Sequence, residues 1–316
     1  MRRISLDKRY PVTVMTPIRT RCGWTGGLLM VLIGTQAGAA GPDVERTLQV
    51  IRTEEQAAGI EAGGNFARSA KGTVAYYRCY YTGKLELPES YDGLKLRKGS
   101  AAGCHVNEKK YDVLFYAAEA VASGRVPVTR ALGAASLERL VTVVPHEDFH
   151  VQIRDLPRAV AEPAATLVGL IAGAAAAERL GSSLSGEAEL FLRKALIVNR
   201  YYEEAHALYI TVQRTGDKIA GATKKQRIFA DLHRECKAMQ PAPRSFNACV
   251  SAFNNAGLAF DYTYTRYYPL VFEVYQSCGG DLRCAIGVID QAPRHSEADA
   301  VEYLRKRAGA VTSAAE

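Results

Sequence analysis

The sequence lacks the features that mark cysteine-ligated metal sites, redox motifs and membrane-spanning proteins. None of its seven cysteines forms a CxxC pair, the spacing typical of cysteine zinc sites and thiol redox centres. No charge-free apolar run reaches the roughly 20 residues that a transmembrane helix needs. There is also no internal repeat and no Pro- or Ser-rich linker. One domain is therefore expected beyond the N-terminal segment.

The N-terminal segment has the pattern of a secretion signal. Arg19 and Arg21 precede the apolar run 28–33, which the small residues 37–39 (Ala-Gly-Ala) follow as a cleavage site. Residues 1–39 are therefore predicted to be removed.

Nothing in this segment predicts a permanent anchor. The apolar run is too short for a membrane span, and Cys22 lies before it rather than after the cleavage site. Because the charged leader is long for a signal peptide, Met15 is the expected start. The mature protein is then an exported domain over residues 40–316, either periplasmic or secreted.

Removal of the signal leaves little net charge. The chain has 40 basic and 33 acidic residues, of which six and one lie in residues 1–39, so the remainder carries a charge near +2. A nucleic-acid-binding function is excluded on this ground, since no basic excess remains to attract phosphates.

Six cysteines remain in the exported part, and an even number in such a protein predicts disulfides. Neighbours along the chain form three pairs that would each close a short loop. These pairs are Cys79 with Cys104, Cys236 with Cys249, and Cys278 with Cys284.

Apolar residues recur at helical spacing through most of the chain, which predicts a mainly α fold. Residues 111–121 follow this spacing, and Asn107 is placed to cap a helix there. By contrast, residues 73–81 are rich in β-forming side chains, and turn signals at Gly83 and Gly93 follow. One small β-hairpin, tied by the first cysteine pair, is therefore expected.

The strongest functional signal is an HExxH motif at residues 146–150. On a helix, His146 and His150 point the same way from successive turns and can bind one Zn²⁺. Glu147 would lie beside the metal-bound water and could accept its proton. Asp148 points elsewhere on the helix and is a poor ligand. A pair of surface histidines without a metal is the alternative interpretation.

The third ligand is predicted to be Glu162. Metzincins continue the motif as HExxHxxGxxH, but Ile153 and Leu156 occupy the glycine and histidine positions here. Residues 155–157 (Asp-Leu-Pro) predict a break, after which a second helix can fold back and return Glu162 to the histidines. Other residues left open as ligands are Glu178, Asp155 and His206.

The second helix is expected to be buried and closely packed. Residues 164–177 are almost wholly apolar, yet at 14 residues they are too short to span a membrane, so they predict a core helix. Ala165 and Gly169 follow Glu162 at roughly one-turn spacings and would let the two helices approach closely around the metal.

Two motifs together carry a family resemblance. Glu162, Ala165 and Gly169 form an E-x-x-A-x-x-x-G segment, and residues 254–258, Tyr264 and residues 279–281 form an "NNA-x-L … Y … GGD" pattern. In these motifs, and in the HExxH helix, the chain resembles a family of predicted bacterial zinc aminopeptidases over roughly residues 105–290. The resemblance implies an exported, gluzincin-like metallopeptidase.

Three further polar residues are candidates for substrate contacts. The hydroxyl of Tyr264 could stabilise the oxyanion that forms when water attacks a peptide carbonyl, and the amides of Asn254 and Asn255 could hold the substrate backbone. Tyrosines at this density are also common in amphipathic cores.

The predicted function is therefore a one-zinc hydrolase acting on a peptide, most simply an aminopeptidase-like enzyme with Glu147 as general base. Two alternatives stay open. The first is a non-catalytic envelope protein that binds a partner and keeps a structural or vestigial metal site. The second is a zinc amidase acting on cell-wall amide bonds. The sequence indicates neither the subunit number nor the substrate.

Overall fold

Helices form most of the protein, as the sequence predicts. The computed structural model describes residues 43–61, 63–121, 124–242 and 248–312, all within one compact unit, Gly41–Glu316. The predicted signal peptide lies outside the described residues. The α-helices are α1 (Val44–Ala58), α2 (Arg130–Gly133), α3 (Leu137–Gln152), α4 (Arg158–Arg179), α5 (Glu187–Thr215), α6 (Lys218–Ala238), α7 (Asn255–Thr265), α8 (Tyr268–Ser277), α9 (Leu282–Asp290) and α10 (Glu297–Thr312).

A small antiparallel sheet interrupts the helical fold. Its strands are β1 (Tyr76–Gly83), β2 (Lys95–Lys98) and β3 (Tyr111–Ala118), in the order β2-β1-β3. The expected hairpin is thus present as β1 and β2, and a short 3-10 turn, Tyr91–Gly93, lies in the connection between them.

The prediction of a helix at residues 111–121 is wrong, because this segment contains β3. The whole of β3 pairs with β1, so Cys79 lies opposite Phe115. Asp112 and Leu114 are buried at a spacing of two, which is the strand period. Asn107 caps a turn before the strand by accepting the amide of Lys109. Sheet pairing therefore overrides the helical spacing of the apolar residues.

The three predicted disulfides are present. Cys79–Cys104 joins β1 to the segment before β3, Cys236–Cys249 joins α6 to the segment before α7, and Cys278–Cys284 closes the turn between α8 and α9. Disulfides are typical of oxidising compartments such as the periplasm or the cell exterior.

Helix α4 lies at the centre of the helical core and packs against α3. The predicted break is present, since α3 ends at Gln152 and α4 begins at Arg158. With 22 residues, α4 is longer than the apolar stretch and has the length and hydropathy of a membrane span, but 78% of its most apolar window is buried in the protein. Its middle, including Ala164, Leu167 and Val168, is fully buried.

Candidate metal centre

Helix α3 brings the two histidines of the HExxH motif together. Ser136 caps its N-terminus by accepting the amide of Arg139, and the helix then continues without a break through both histidines. The Nε2 atoms of His146 and His150 lie 3.2 Å apart. This is the arrangement expected from a four-residue spacing on a helix.

Glu162, in the second turn of α4, completes the group. Its Oε2 atom lies 3.2 Å from Nε2 of His150 and 3.5 Å from Nε2 of His146. Among the described residues, these three form the group of His, Cys, Asp or Glu side chains whose ligand atoms lie close enough together to hold a metal ion. Glu178 and Asp155 are instead exposed, and His206 stacks on Tyr202 in α5.

The spacing of these three atoms fits zinc. Ligand atoms about 2.0–2.1 Å from a zinc ion at tetrahedral angles lie about 3.3 Å from one another. The observed separations of 3.2 to 3.5 Å match this value. Two imidazoles and one carboxylate are also a donor set of catalytic zinc sites, which keep one position open for water.

A glycine in α4 permits the close approach of the two helices. A Cβ atom on Gly169 would lie 2.6 Å from the carbonyl oxygen of Thr142 and 3.1 Å from Cβ of His146. Any side chain there would push α3 away from α4. The predicted role of small residues is therefore confirmed at this position.

The electrostatics of the group keep Glu162 ionised, as a metal ligand must be. Burial alone would raise the pKa of Glu162, but His150 and His146 outweigh this effect and hold that pKa well below its ordinary value. Burial lowers the pKa of His150, and the neighbouring carboxylate of Glu162 more than reverses it, so the net pKa is raised. Burial also raises the pKa of Glu147.

Tyr91, which sequence analysis did not identify, holds the second oxygen of Glu162. Its hydroxyl donates to Oε1 of Glu162 at 2.6 Å, and Arg158 donates to the same hydroxyl oxygen at 2.6 Å. Arg158 is itself paired with Asp92 at 2.9 Å. Tyr91 lies 71 residues before Glu162, so no local motif signals this contact.

A second polar cluster holds α3 from the opposite side. Asp148 accepts from Arg52 at 2.5 Å, and Glu55 accepts from the same nitrogen at 3.0 Å. Arg52 also donates to the carbonyl of Asn65, whose side chain donates to the carbonyl of Glu147 at 3.2 Å. Asp148 thus points away from the histidines, as predicted.

The metal-ligand group opens into a cleft of about 760 Å³ between the sheet and helices α3, α4 and α7. Glu147 and Tyr264 line this cleft together with the three candidate ligands. The ring centroid of Tyr264 lies 6.3 Å from that of His146. Burial raises the pKa of Tyr264 well above its ordinary value, so its hydroxyl keeps its proton.

The two asparagines do not line this cleft, which corrects the expectation that they hold substrate. Asn254 caps α7 by accepting the amide of Gly257. Asn255 is fully buried; its side chain accepts from Tyr209 at 2.7 Å and donates to the carbonyl of Glu86 at 2.9 Å. Both amides thus hold α7 and the sheet in place.

No family model, curated protein or solved structure matches this chain. The resemblance to zinc aminopeptidases therefore stays a prediction.

Proposed function

We propose that the protein is a zinc-dependent hydrolase of peptide or related amide bonds. His146, His150 and Glu162 would hold one Zn²⁺. The observation that carries the proposal is the convergence of their three ligand atoms within 4.8 Å of one another, at the wall of a cleft of about 760 Å³ that Glu147 also lines. Export directed by residues 1–39 is part of the proposal and agrees with the disulfides.

The metal and Glu147 have different roles in the proposed reaction. Zn²⁺ bound by such a group supplies Lewis-acid polarisation of a carbonyl and makes water more acidic. Glu147 accepts a proton from the attacking water and passes it to the leaving amine. Burial raises the pKa of Glu147, which makes its carboxylate a stronger base.

Tyr264 and Tyr91 have different parts in this proposal. Tyr264 lines the cleft near His146 and keeps its proton, so it can donate a hydrogen bond to the oxyanion formed from the substrate carbonyl. Tyr91 contacts Glu162 rather than the reacting atoms, so it positions a ligand.

The site supports catalysis better than a purely structural metal role. Structural zinc sites usually fill four protein positions and prefer cysteine, whereas the described residues supply three ligand side chains and no thiol here. A cell-wall amidase would use the same residues and chemistry, and the aminopeptidase-like specificity rests on the sequence resemblance alone.

The test separates metal binding from proton transfer. His150→Ala and Glu162→Ala should each lose zinc and activity together, because both properties depend on coordination. Glu147→Gln should keep near-stoichiometric zinc while hydrolysis falls by a factor on the order of 10² to 10⁴, because an amide cannot accept the proton. Metal analysis and turnover of aminoacyl and peptide substrates measure the two properties.

Two outcomes would contradict the proposal. If Glu147→Gln loses its zinc like His150→Ala, or keeps full activity, Glu147 is not the base. If the purified wild-type protein binds zinc but hydrolyses no peptide or amide substrate, the catalytic role is wrong and a non-catalytic role is favoured.

A further inference from the structure

The charged side chains that line the cleft do not all have a partner of opposite charge. Apart from the histidines, its lining contains three arginines and three acids. Arg158 is paired with Asp92, and Glu162 contacts both histidines. The remaining charged side chains are Glu147, Arg78 and Arg154.

Arg78 and Arg154 have no charged or hydrogen-bonded partner among the described residues. Arg78 is half-buried on β1, and Arg154 is exposed in the segment between α3 and α4. For the half-buried Arg78, a guanidinium without an acceptor is unfavourable, because its donors lose hydrogen bonds to water. A carboxylate bound in the cleft would supply the missing acceptor with matching geometry.

The strand places Arg78 on the face of the sheet that forms the cleft. Tyr80, two residues later, and Tyr116, opposite Arg78 on β3, line the same cleft. Burial raises the pKa of Tyr80, and the positive charge of Arg78 opposes that rise. The guanidinium of Arg78 therefore acts on the interior of the cleft.

We infer that the cleft takes a substrate with a carboxylate near the scissile bond and holds it with Arg78 and Arg154. This inference rests on the proposed function. The carboxylate could be the C-terminus of a peptide or an acidic side chain, and both present the same anion to the arginines.

The same charges disfavour recognition of a free amino terminus. An ammonium group has three donors and is held most strongly by carboxylates, but Asp92 is paired with Arg158 and Glu162 is a proposed zinc ligand. Glu147 is the other acid of the lining, and the proposed reaction uses it as the base. The cleft therefore differs from what an aminopeptidase would need.

Binding to zinc-loaded Glu147→Gln tests the inference without turnover. The probes are N-acetyl-trialanine with a free carboxylate, its C-terminal amide, and trialanine amide with a free amino group. The free acid should bind about tenfold or more tightly than either amide, as a charge-assisted contact implies. N-acetyl-Ala-Glu-Ala-amide against its Gln counterpart distinguishes a side chain from a C-terminus. Calorimetric titration measures each affinity.

Arginine variants in the Glu147→Gln background separate this preference from direct binding of the carboxylate to zinc. Arg78→Gln combined with Arg154→Gln should remove the preference, whereas Arg78→Lys alone should keep most of it because the charge remains. The matched control is Arg214→Gln, which removes an exposed charge of α5 outside the cleft lining. It should leave every affinity unchanged.

Tighter binding of the free amine, a preference that survives loss of both arginines, or no binding of any probe by the zinc-loaded protein would overturn the inference. The proposed function fails differently, through absent zinc or absent hydrolysis in the wild-type protein.

Discussion

Two buried carboxylates that pack against opposite sides of helix α3, Glu162 and Glu55, are in opposite electrostatic states. On the cleft side, Glu162 faces two histidines, and its pKa lies well below the ordinary value. On the other side, Glu55 and Asp148 share Arg52. There burial, followed by the charge of Asp148, raises the pKa of Glu55 to about 8. The ratio of carboxylates to cationic partners decides which state results.

This difference indicates what each cluster accepts. The cleft side has three ligand atoms converging around one point, which suits a metal cation. Behind the helix, Oε1 of Glu55 and Oδ1 of Asp148 are buried without hydrogen-bond partners. A proton shared between these two carboxyls would satisfy both atoms. Substitutions of Glu55 or Asp148 should therefore alter the pH dependence of stability. Substitutions that disturb the three candidate ligands should alter zinc affinity.

The largest effect is expected from Glu55→Gln, which mimics the protonated acid. In the wild type, the folded-state pKa of Glu55 lies above its unfolded value. The folded state therefore binds more protons, and the free energy of unfolding falls as the pH rises from about 4.5 to about 8. The variant should lose this slope and become more stable than the wild type at pH 8 by on the order of 3 kcal/mol. Urea denaturation at pH 5, 6.5 and 8 measures it.

The control for this prediction is Glu45→Gln, an exposed position on the same helix. It should follow the wild-type slope. Zinc affinity should be unchanged in both variants. If Glu55→Gln is less stable than the wild type at pH 8, the two acids do not share a proton.

Gly169→Ala tests the approach of the helices on the metal side. The added methyl would meet the Thr142 carbonyl and Cβ of His146, so α3 must move. We expect a loss of about 1–3 kcal/mol in unfolding free energy together with weaker zinc binding. The matched control is Gly287→Ala on α9, where a Cβ meets no atom within 4 Å. Equal zinc affinities in the two variants would show that the close contact does not position the ligands.

The smallest effect is expected from Tyr91→Phe, which removes the hydroxyl that bonds Glu162 and Arg158. Loss of a group that orients a ligand should weaken zinc binding by about tenfold or somewhat more, and a competing chelator measures this. Tyr209→Phe removes a buried hydroxyl that bonds Asn255, remote from the ligands. It should reduce stability but spare zinc affinity. Unchanged zinc affinity in Tyr91→Phe would show that Tyr91 does not position Glu162.

The parts of the site that the sequence predicts are those set by short-range geometry. His146 and His150 converge because four residues make about one helical turn. Glu162 joins them because residues 153–157 form a short connection that reverses the chain. The disulfides likewise join cysteines that are neighbours along the chain.

The sequence pattern was misleading where pairing between distant segments decides the conformation. Residues 111–118 have apolar spacing compatible with a helix, but hydrogen bonding to β1 makes them a strand. Asn254 and Asn255 are polar residues in a family-like motif, yet they serve the packing of α7. Their bonding partners are residues up to 172 positions earlier in the chain.

The sequence by itself determined the helix that carries His146, Glu147 and His150, and the return of Glu162, since local spacing and one turn suffice for these. Only the tertiary structure decided that Tyr91 holds Glu162, that Arg52 serves two buried acids, and that Arg78 faces the cleft. The first two contacts join residues 71 and 96 positions apart. Their formation depends on how the sheet, α1 and α4 pack together, and no local pattern encodes that packing.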